Sequence, residues 1–472
     1  QGADGRAARA MRLADAVRRG DFAALADRGV NTGISPAVDT LIDGWVAFGL
    51  GDMDAARAAF ETASSDAPGL ARRHLALALA AKGDFAAAES ALAEAGGRGG
   101  TTRRAILARV QILSQLERND DALTLLRQSF GPAFDPEIRA LVRRLESGET
   151  LPFTALATAA DGVAELFLDF AGALGRDGPG AGAILYGRIA LWLRPDLVDA
   201  ALQLGQRLSD LGRTDLSLAV FRSVPGDAPA GYGARLGAAG ALDSAGRTDE
   251  ALDLLDDLAA RHPDLQAVHV TTGDMLRRKE RFEAAREAYD RAVALFGEPA
   301  EDQWRIYFAR AICSERLGDW GRAEADFTRA LELSPGRPEV LNYLGYSLVE
   351  RREQLSKALD MIREALEARP EAGFIIDSLA WALYRLGRYD EAMPHMARAV
   401  EIETADPIVT DHYGDLLWAV GRRMEARFEW RRALGLEPET DLEQRIRRKL
   451  EVGLDTVLEE EGERPLDARA VQ

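Results

Sequence analysis

The sequence predicts an all-α fold, a right-handed solenoid of repeated helical hairpins, with two arrays and a C-terminal capping helix. Three observations support this prediction. The chain has 472 residues, more than the roughly 250 to 300 residues that one compact core usually holds. Small residues recur with a period of about 34 residues, as in helical-hairpin repeats. Prolines stand at the expected joints between hairpins, where the missing N–H stops the preceding helix.

The clearest repeat unit runs from Trp304 to Arg337. It reads as a helix, a Gly-Asp-aromatic turn and a second helix. With Gly318 at the turn, Ala311 is the eighth residue of the unit, Ala323 the twentieth and Pro335 the thirty-second. Only small side chains fit where two helices of one hairpin cross closely, so this spacing predicts a tightly packed pair.

The same frame continues along the second half of the chain. Its eight units begin at Ala164, Val198, Tyr232, Gln266, Trp304, Pro338, Gly373 and Pro407. The twentieth positions are Ala183, Ser217, Ala251, Ala285, Ala323, Ala358, Ala392 and Ala426, with one extra residue allowed in the unit that begins at Pro338. Each hairpin exposes an apolar face that only its neighbour can cover, so stacking should make the core continuous.

The register of the repeat also predicts the division of the chain. Residues 1–135 read as a degenerate N-terminal array, and 136–163 as an irregular linker containing Gly148 and Pro152. Residues 164–440 read as the C-terminal array of about eight repeats, 441–460 as the capping helix, and 461–472 as a charged tail that should fray.

Composition argues against several classes of function. The formal net charge of -18 would repel a phosphate backbone, so nucleic acid is not expected as a partner. Cys313 is the only cysteine, which excludes an intramolecular disulfide, and the five histidines lack partners at metal-ligand spacing. No apolar run approaches the roughly 18 residues of a membrane-spanning helix.

No motif predicts catalysis or a bound cofactor. Gly178, Gly180 and Ala183 match the dinucleotide pattern G-x-G-x-x-A. That pattern needs a preceding strand, and here a helix is predicted, so we interpret it as a loop between repeat helices. Cys313 follows the small packing site of its unit, and a semi-buried thiol is favoured over a nucleophile. We therefore expect no catalytic residue, no cofactor and no metal.

The inner surface of the last three units is the candidate partner-binding groove. The second, fifth, ninth and twelfth positions of each unit should face it. Trp381 lies at its predicted centre, since aromatic rings supply rigid contact area. Carboxylates were expected to be exposed there, because they gain nothing from packing; for the tryptophans, padding of the joint between hairpins is an equal alternative. The groove residues are Asn342, Tyr346, Asp377, Trp381, Tyr384, Asp411, Asp415 and Trp418.

The repeat resembles the tetratricopeptide repeat, and three stretches carry a narrower resemblance. These are LNYLGYSLVERREQLSKALDMIREALEARP from Leu341, IIDSLAWALYRLGRYDEAMPHMARAVEIE from Ile375 and DHYGDLLWAVGRRMEARFEWRRALGLEP from Asp411. They resemble a family of bacterial envelope tetratricopeptide proteins, and the resemblance covers about 164–450. Some tetratricopeptide domains clamp a terminal carboxylate with basic residues at the fifth or ninth position. None of the eight units has a lysine or arginine there, so such a clamp is not expected.

The narrower resemblance implies a function and a location. Some members of that family are outer-membrane lipoproteins that act as adaptors, bringing cell-wall hydrolases to a periplasmic carboxyl-terminal processing protease. It therefore implies a non-enzymatic scaffold, periplasmic or outer-membrane-associated, in a Gram-negative bacterium. A cytoplasmic scaffold is the alternative. Because the chain starts at Gln1, we expect a cleaved export signal. A lipoprotein would begin at a cysteine. The alternatives are therefore a lipid anchor that was trimmed or lies upstream of the given chain, or a protein that is free in the periplasm.

Overall fold

The computed structural model describes residues 5–94, 102–131, 135–175, 180–226, 228, 230–297 and 300–463. Within these ranges the chain forms 27 α-helices and no β-strand, which confirms the predicted all-α class. None of the described helices is both long and apolar enough to cross a membrane. The chain divides into two compact units, residues 1–279 with 294–298, and residues 280–293 with 299–472.

The first unit contains sixteen helices. They are α1 (Arg6–Arg19), α2 (Phe22–Arg28), α3 (Pro36–Leu50), α4 (Met53–Ala63), α5 (Pro68–Ala81), α6 (Phe85–Glu94), α7 (Arg103–Gln115), α8 (Asn119–Phe130), α9 (Pro136–Glu146), α10 (Ala159–Leu174), α11 (Ala181–Leu193), α12 (Val198–Asp210), α13 (Thr214–Arg222), α14 (Gly231–Ser244), α15 (Thr248–Arg261) and α16 (Gln266–Arg278).

The second unit is built mainly from five successive hairpins, in which each helix packs against the next. Its helices are α17 (Phe282–Ala294), α18 (Trp304–Arg316), α19 (Trp320–Leu333), α20 (Pro338–Glu350), α21 (Leu355–Ala368), α22 (Gly373–Arg385), α23 (Tyr389–Ile402), α24 (Pro407–Ala419), α25 (Arg423–Leu434), α26 (Thr440–Val452) and α27 (Leu454–Glu460).

Local signals explain where these helices begin. Six of the eight predicted unit starts coincide with the first residue of a helix, from α12 at Val198 to α24 at Pro407. Proline suits the first helical position because its missing N–H has no intrahelical partner there. Before α24, the Asp406 side chain also accepts hydrogen bonds from two backbone amides. Gly318, with φ +75°, makes the turn between α18 and α19.

Close crossing within each hairpin depends on its small residues. Ala358 and Ala392 have no exposed surface. A Cβ atom added at Gly414 would lie 2.5 Å from the Trp430 ring, and one added at Gly345 would lie 3.0 Å from the carbonyl oxygen of Ala358. The spacing of small residues therefore marks the positions where the two helices touch.

The segment 136–163 lies inside the first unit, which differs from the predicted division at this point. Its first half forms α9, and α10 packs against α3 and α5. The irregular stretch between them is anchored, because the Leu151 amide donates to Ser114 Oγ at 2.8 Å and Gln115 Nε2 donates to the Leu151 carbonyl at 2.6 Å. Helix α9 and Leu151 share a smaller core with α7 and α8, whereas Leu156 and α10 belong to a larger core that runs from Ala10 to Ala200. The loss of repeat register therefore marks the change from one core to the other.

The C-terminal cap consists of two helices where one was predicted. Gly453, with φ +87°, separates α26 from α27, because this backbone conformation interrupts a helix. Of the predicted frayed tail, residues 461–463 are described and Glu461 and Glu463 form ion pairs. Residues 464–472 lie outside the described part of the chain.

The structure also shows where the G-x-G-x-x-A pattern and the single cysteine of the sequence lie. Gly178 lies outside the described residues, while Gly180 precedes α11 and Ala183 is buried within it. Cys313 is fully buried in α18.

Replacing Ala358 with leucine should overpack the hairpin of α20 and α21. We expect a loss of about 1 to 3 kcal/mol in the free energy of unfolding, because extra methylenes in a closely packed site force neighbours to shift. Ala368→Leu, at the exposed end of the same helix, is the matched control and should have little effect. Urea-unfolding midpoints measure both, and equal midpoints for the two variants would show that the crossing is not tight.

Candidate interaction site

The candidate site lies where α20, α22 and α24 stack side by side. These are the first helices of three consecutive hairpins, and neighbouring ones pack directly against each other. The stacking follows from the repeat, since each first helix is carried to the equivalent place one unit along. It brings the eight predicted residues into one region, with Asn342 and Tyr346 on α20, Asp377, Trp381 and Tyr384 on α22, and Asp411, Asp415 and Trp418 on α24.

Nearly all of these side chains are buried, which corrects the expectation of exposed carboxylates. Asp377 is 5% exposed, Asp411 1% and Asp415 0%. The aromatic residues Trp381, Tyr384 and Trp418, and Asn342, are buried as well, and Tyr346 is partly buried. The predicted residues are therefore not an open groove in this structure, and their partners are found within the chain.

The joint between α22 and α24 is a polar and aromatic seam. His412 Nδ1 lies 3.0 Å from Asp377 Oδ1, and both side chains are buried. The His412 ring stacks on Trp381 with 3.9 Å between ring centroids, and Trp381 stacks on Tyr384 at 4.6 Å. Trp381 Nε1 also donates to Glu350 at 2.5 Å. Trp381 thus packs the joint between neighbouring hairpins, the alternative considered for it from the sequence.

The charge of His412 depends on this seam. Burial on its own would lower the pKa of His412, because it disfavours the charged ring, but the Asp377 carboxylate outweighs it and the pKa is raised above its ordinary value. When His412 is protonated, it forms a buried ion pair with the Asp377 carboxylate across two repeats.

A second charge cluster joins α24 to the capping helix α26. Lys449 is fully buried and its Nζ donates to Asp411 Oδ1 at 2.5 Å, Asp411 Oδ2 at 2.7 Å and Asp415 Oδ1 at 2.6 Å. Arg445 approaches Asp415 Oδ2 at 3.3 Å, and Trp430 Nε1 donates to Asp415 Oδ1 at 2.9 Å. The two carboxylates expected to meet a partner are thus neutralised by the chain's own cap.

Burial and the cap's positive charges act in opposite directions on the two carboxyl groups. Burial raises the pKa of Asp411, even though Lys449 opposes it. At Asp415 burial acts the same way, but Lys449 and Arg445 outweigh it and the pKa is lowered.

Helix α27 packs next to α26 and contacts α24 through Trp418. Leu454, Val457 and Leu458 are at most 3% exposed, and they lie on one side of the helix because residues three and four apart are neighbours. Leu454 and Leu458 share a hydrophobic core with Trp381, Tyr384 and Trp418. Polar contacts hold both ends of this segment: Trp418 Nε1 donates to Asp455 at 2.9 Å, and Glu463, three residues beyond the end of α27, pairs with Arg385 and Arg352.

Sequence reasoning missed Lys449, although the repeat period carried a signal for it. Adding one period of about 34 residues to the unit that begins at Pro407 places Lys449 at the ninth position of a further unit, in line with Asp415. It is also one of only four lysines in an arginine-rich chain. The sequence predicts only a capping helix over 441–460, and that prediction carries no expectation of a buried charge.

Comparison with known families and proteins identifies the repeats. A tetratricopeptide-repeat family matches residues 270–438, and a second family of the same description matches residues 44–99 and 202–265. A "TPR repeat-containing protein" of Pseudomonas aeruginosa is 27% identical over 175 residues, which are 37% of this chain and 29% of that protein. A "Lipoprotein NlpI homolog" of Haemophilus influenzae is 34% identical over 119 residues, 24% of this chain and 37% of that one.

The matched regions thus span well under half of either relative. Among solved structures, a chain of the APC/C hetero-tetramer Cut9–Hcn1 is 15% identical with a TM-score of 0.46, covering 96% of this chain and 97% of that chain.

Replacing Lys449 with methionine should strongly destabilise the second unit. The substitution keeps the apolar stem but leaves Asp411 and Asp415 buried, with Arg445 as their remaining ion-pair partner among the described residues. Removal of one partner from a buried ion pair costs about 3 to 5 kcal/mol. Lys357→Met, at an exposed lysine, is the control. Urea-unfolding midpoints measure the loss, and Asp411→Asn added to Lys449→Met should restore part of it. Equal midpoints for Lys449→Met and Lys357→Met would contradict the assignment.

The His412–Asp377 pair should make stability depend on pH. Since the folded-state pKa of His412 is raised, its contribution is fully present below the unfolded value of about 6.5 and is lost as pH rises through the folded value. The stability difference between the parent chain and His412→Gln should therefore shrink as pH increases from acidic to alkaline. Urea unfolding at a series of pH values tests this. A difference that stays constant with pH would show that His412 is not charged in the fold.

Proposed function

Because the chain is a tetratricopeptide-repeat protein, we propose that it acts without catalysis as an adaptor in the bacterial cell envelope. In this role it presents protein substrates, such as cell-wall hydrolases, to a periplasmic carboxyl-terminal processing protease, or supports wall assembly. The run of stacked helical hairpins from α18 to α25 is the observation that supports a protein-binding scaffold. Such arrays offer extended surfaces that bind other proteins.

The envelope location rests on sequence similarity. The relative from Haemophilus influenzae that is 34% identical over 119 residues is named as a lipoprotein. The three stretches between Leu341 and Pro438 resemble a family of bacterial envelope proteins with the same repeats. We therefore propose a periplasmic or outer-membrane-associated location in a Gram-negative bacterium.

The docking surface in this proposal is the inner face of α20, α22 and α24. At this face Asp455 of α27 contacts Trp418 and Glu463 pairs with Arg385, while Asp411 and Asp415 are paired with Lys449 of α26. A partner that uses this face has to take the place of α27.

Affinity purification after crosslinking in intact cells tests the adaptor role. A periplasmic processing protease or a wall hydrolase should be enriched with the tagged chain, relative to an untagged strain, and cell fractionation should place the chain with envelope proteins. Recovery of cytoplasmic proteins alone, with the chain itself in the cytoplasmic fraction, would replace this proposal with that of a cytoplasmic scaffold.

A further inference from the structure

The surface beneath α27 combines apolar and basic character. Trp418 and Trp381 form part of the core that receives Leu454 and Leu458. Arginine side chains surround these two rings: the guanidinium carbons of Arg423 and Arg427 lie 5.0 and 5.7 Å from the Trp418 ring centroid, and that of Arg385 lies 5.8 Å from Trp381. Arg352 completes the set through its pairing with Glu463. In a chain of net charge -18 this is a local concentration of positive charge.

The segment seated on this surface has the complementary chemistry. Residues 454–463 read LDTVLEEEGE, with three buried apolar side chains on one side of a helix and five carboxylates, and no basic residue. Asp455 contacts the Trp418 indole N–H and Glu463 contacts Arg385 and Arg352. The segment therefore shows what kind of ligand fits the surface.

The segment is also built so that it can leave. Helix α27 has only seven residues, and helices shorter than about 12 residues are marginal on their own in water. It is joined to α26 through Gly453, whose φ of +87° is unfavourable for other residues. Lys449, which neutralises Asp411 and Asp415, belongs to α26. Departure of α27 would thus uncover Trp418, while the contacts of Lys449 with Asp411 and Asp415 would remain.

We propose that the surface beneath α27, formed by Trp418 with the surrounding arginines, is a docking site for an acidic amphipathic helix of a partner protein. Helix α27 occupies this site in cis and the partner helix displaces it. The proposal deepens the adaptor function and rests on it for the existence of a partner. The apparent affinity of a site falls in proportion to the fraction of molecules in which the site is open. Helix α27 keeps the site closed in most molecules, so it lowers the affinity for competing helices.

A peptide of residues 453–463, labelled with a fluorophore, serves as the probe for the site. The full-length chain with Val457→Ala and Leu458→Ala should bind it at least about tenfold more tightly than the parent chain, because the cis segment loses its two buried anchors but keeps its helix propensity. Glu459→Ala, an exposed position on the same helix, is the control and should bind as the parent does. Affinity for the released variant should fall with added salt, since arginines hold the carboxylates.

Hydrogen exchange distinguishes release of α27 from loss of the fold. In the double variant, amides of α27 should exchange faster while those of α20, α22 and α24 stay protected. If the double variant unfolds, Glu463→Arg, which reverses the contact with Arg352 and Arg385, provides a milder release and should also raise peptide affinity.

Three outcomes would overturn the proposal: no peptide binding by a folded released variant, equal binding by the released variant and the parent, or equal binding of a peptide in which lysines replace the acidic residues. A parent dimer that exchanges α27 between copies, seen by light scattering, would make a second copy the occupant and would also overturn it. The peptide assay uses no envelope protein, so its failure leaves the adaptor function standing, and a failed purification leaves the peptide result standing.

Discussion

The close crossing of the two helices in each hairpin is the contact on which the rest of the structure depends. At Gly414 the Trp430 ring leaves no room for even a Cβ atom, and Ala358 is packed against Gly345 in the same way. Hairpins this tight behave as rigid blocks with one apolar face, so they must stack, and the last block needs a cover. The second unit takes that cover from its own chain, as α26 and α27.

Stacking also decides where charge can be buried. Equivalent first helices lie side by side, so a carboxylate on one helix meets whatever the next helix presents: His412 for Asp377, and Lys449 for Asp411 and Asp415. Buried ion pairs add little net stability over apolar packing, yet they are costly to mismatch. We interpret them here as markers of register, because each pair forms only when α22, α24 and α26 stack one repeat apart.

Features that depend on neighbouring residues could be predicted accurately from the sequence. Features that depend on residues distant in the sequence could not. Helix starts such as Pro338 and Pro407 are set by residues within one turn, so the repeat frame located them. The start of α10 was placed five residues late, because the capping box of Thr158 and Asp161 replaced the repeat signal there. The eight candidate residues do share one region. Their burial could not be read from their own helices, since neighbouring elements produce it. His412 of α24 covers Asp377 and Trp381, Lys449 of α26 pairs with Asp411 and Asp415, and Asp455 of α27 contacts Trp418.

The Lys449 contacts join two hairpins, because Lys449 lies on α26 and both of its partners lie on α24. This limits how the array can evolve in length. Repeat proteins grow by duplication of whole units, and most joints tolerate this because every unit presents similar faces. Suppose that α24 and α25 were duplicated. Asp411 and Asp415 of the first copy would then face the ninth position of the second copy, which is an aspartate equivalent to Asp415 and not a lysine. Three carboxylates would then meet in the interior. Duplication at this end would thus need a compensating basic residue, whereas the joints between earlier units carry no such requirement from this cluster.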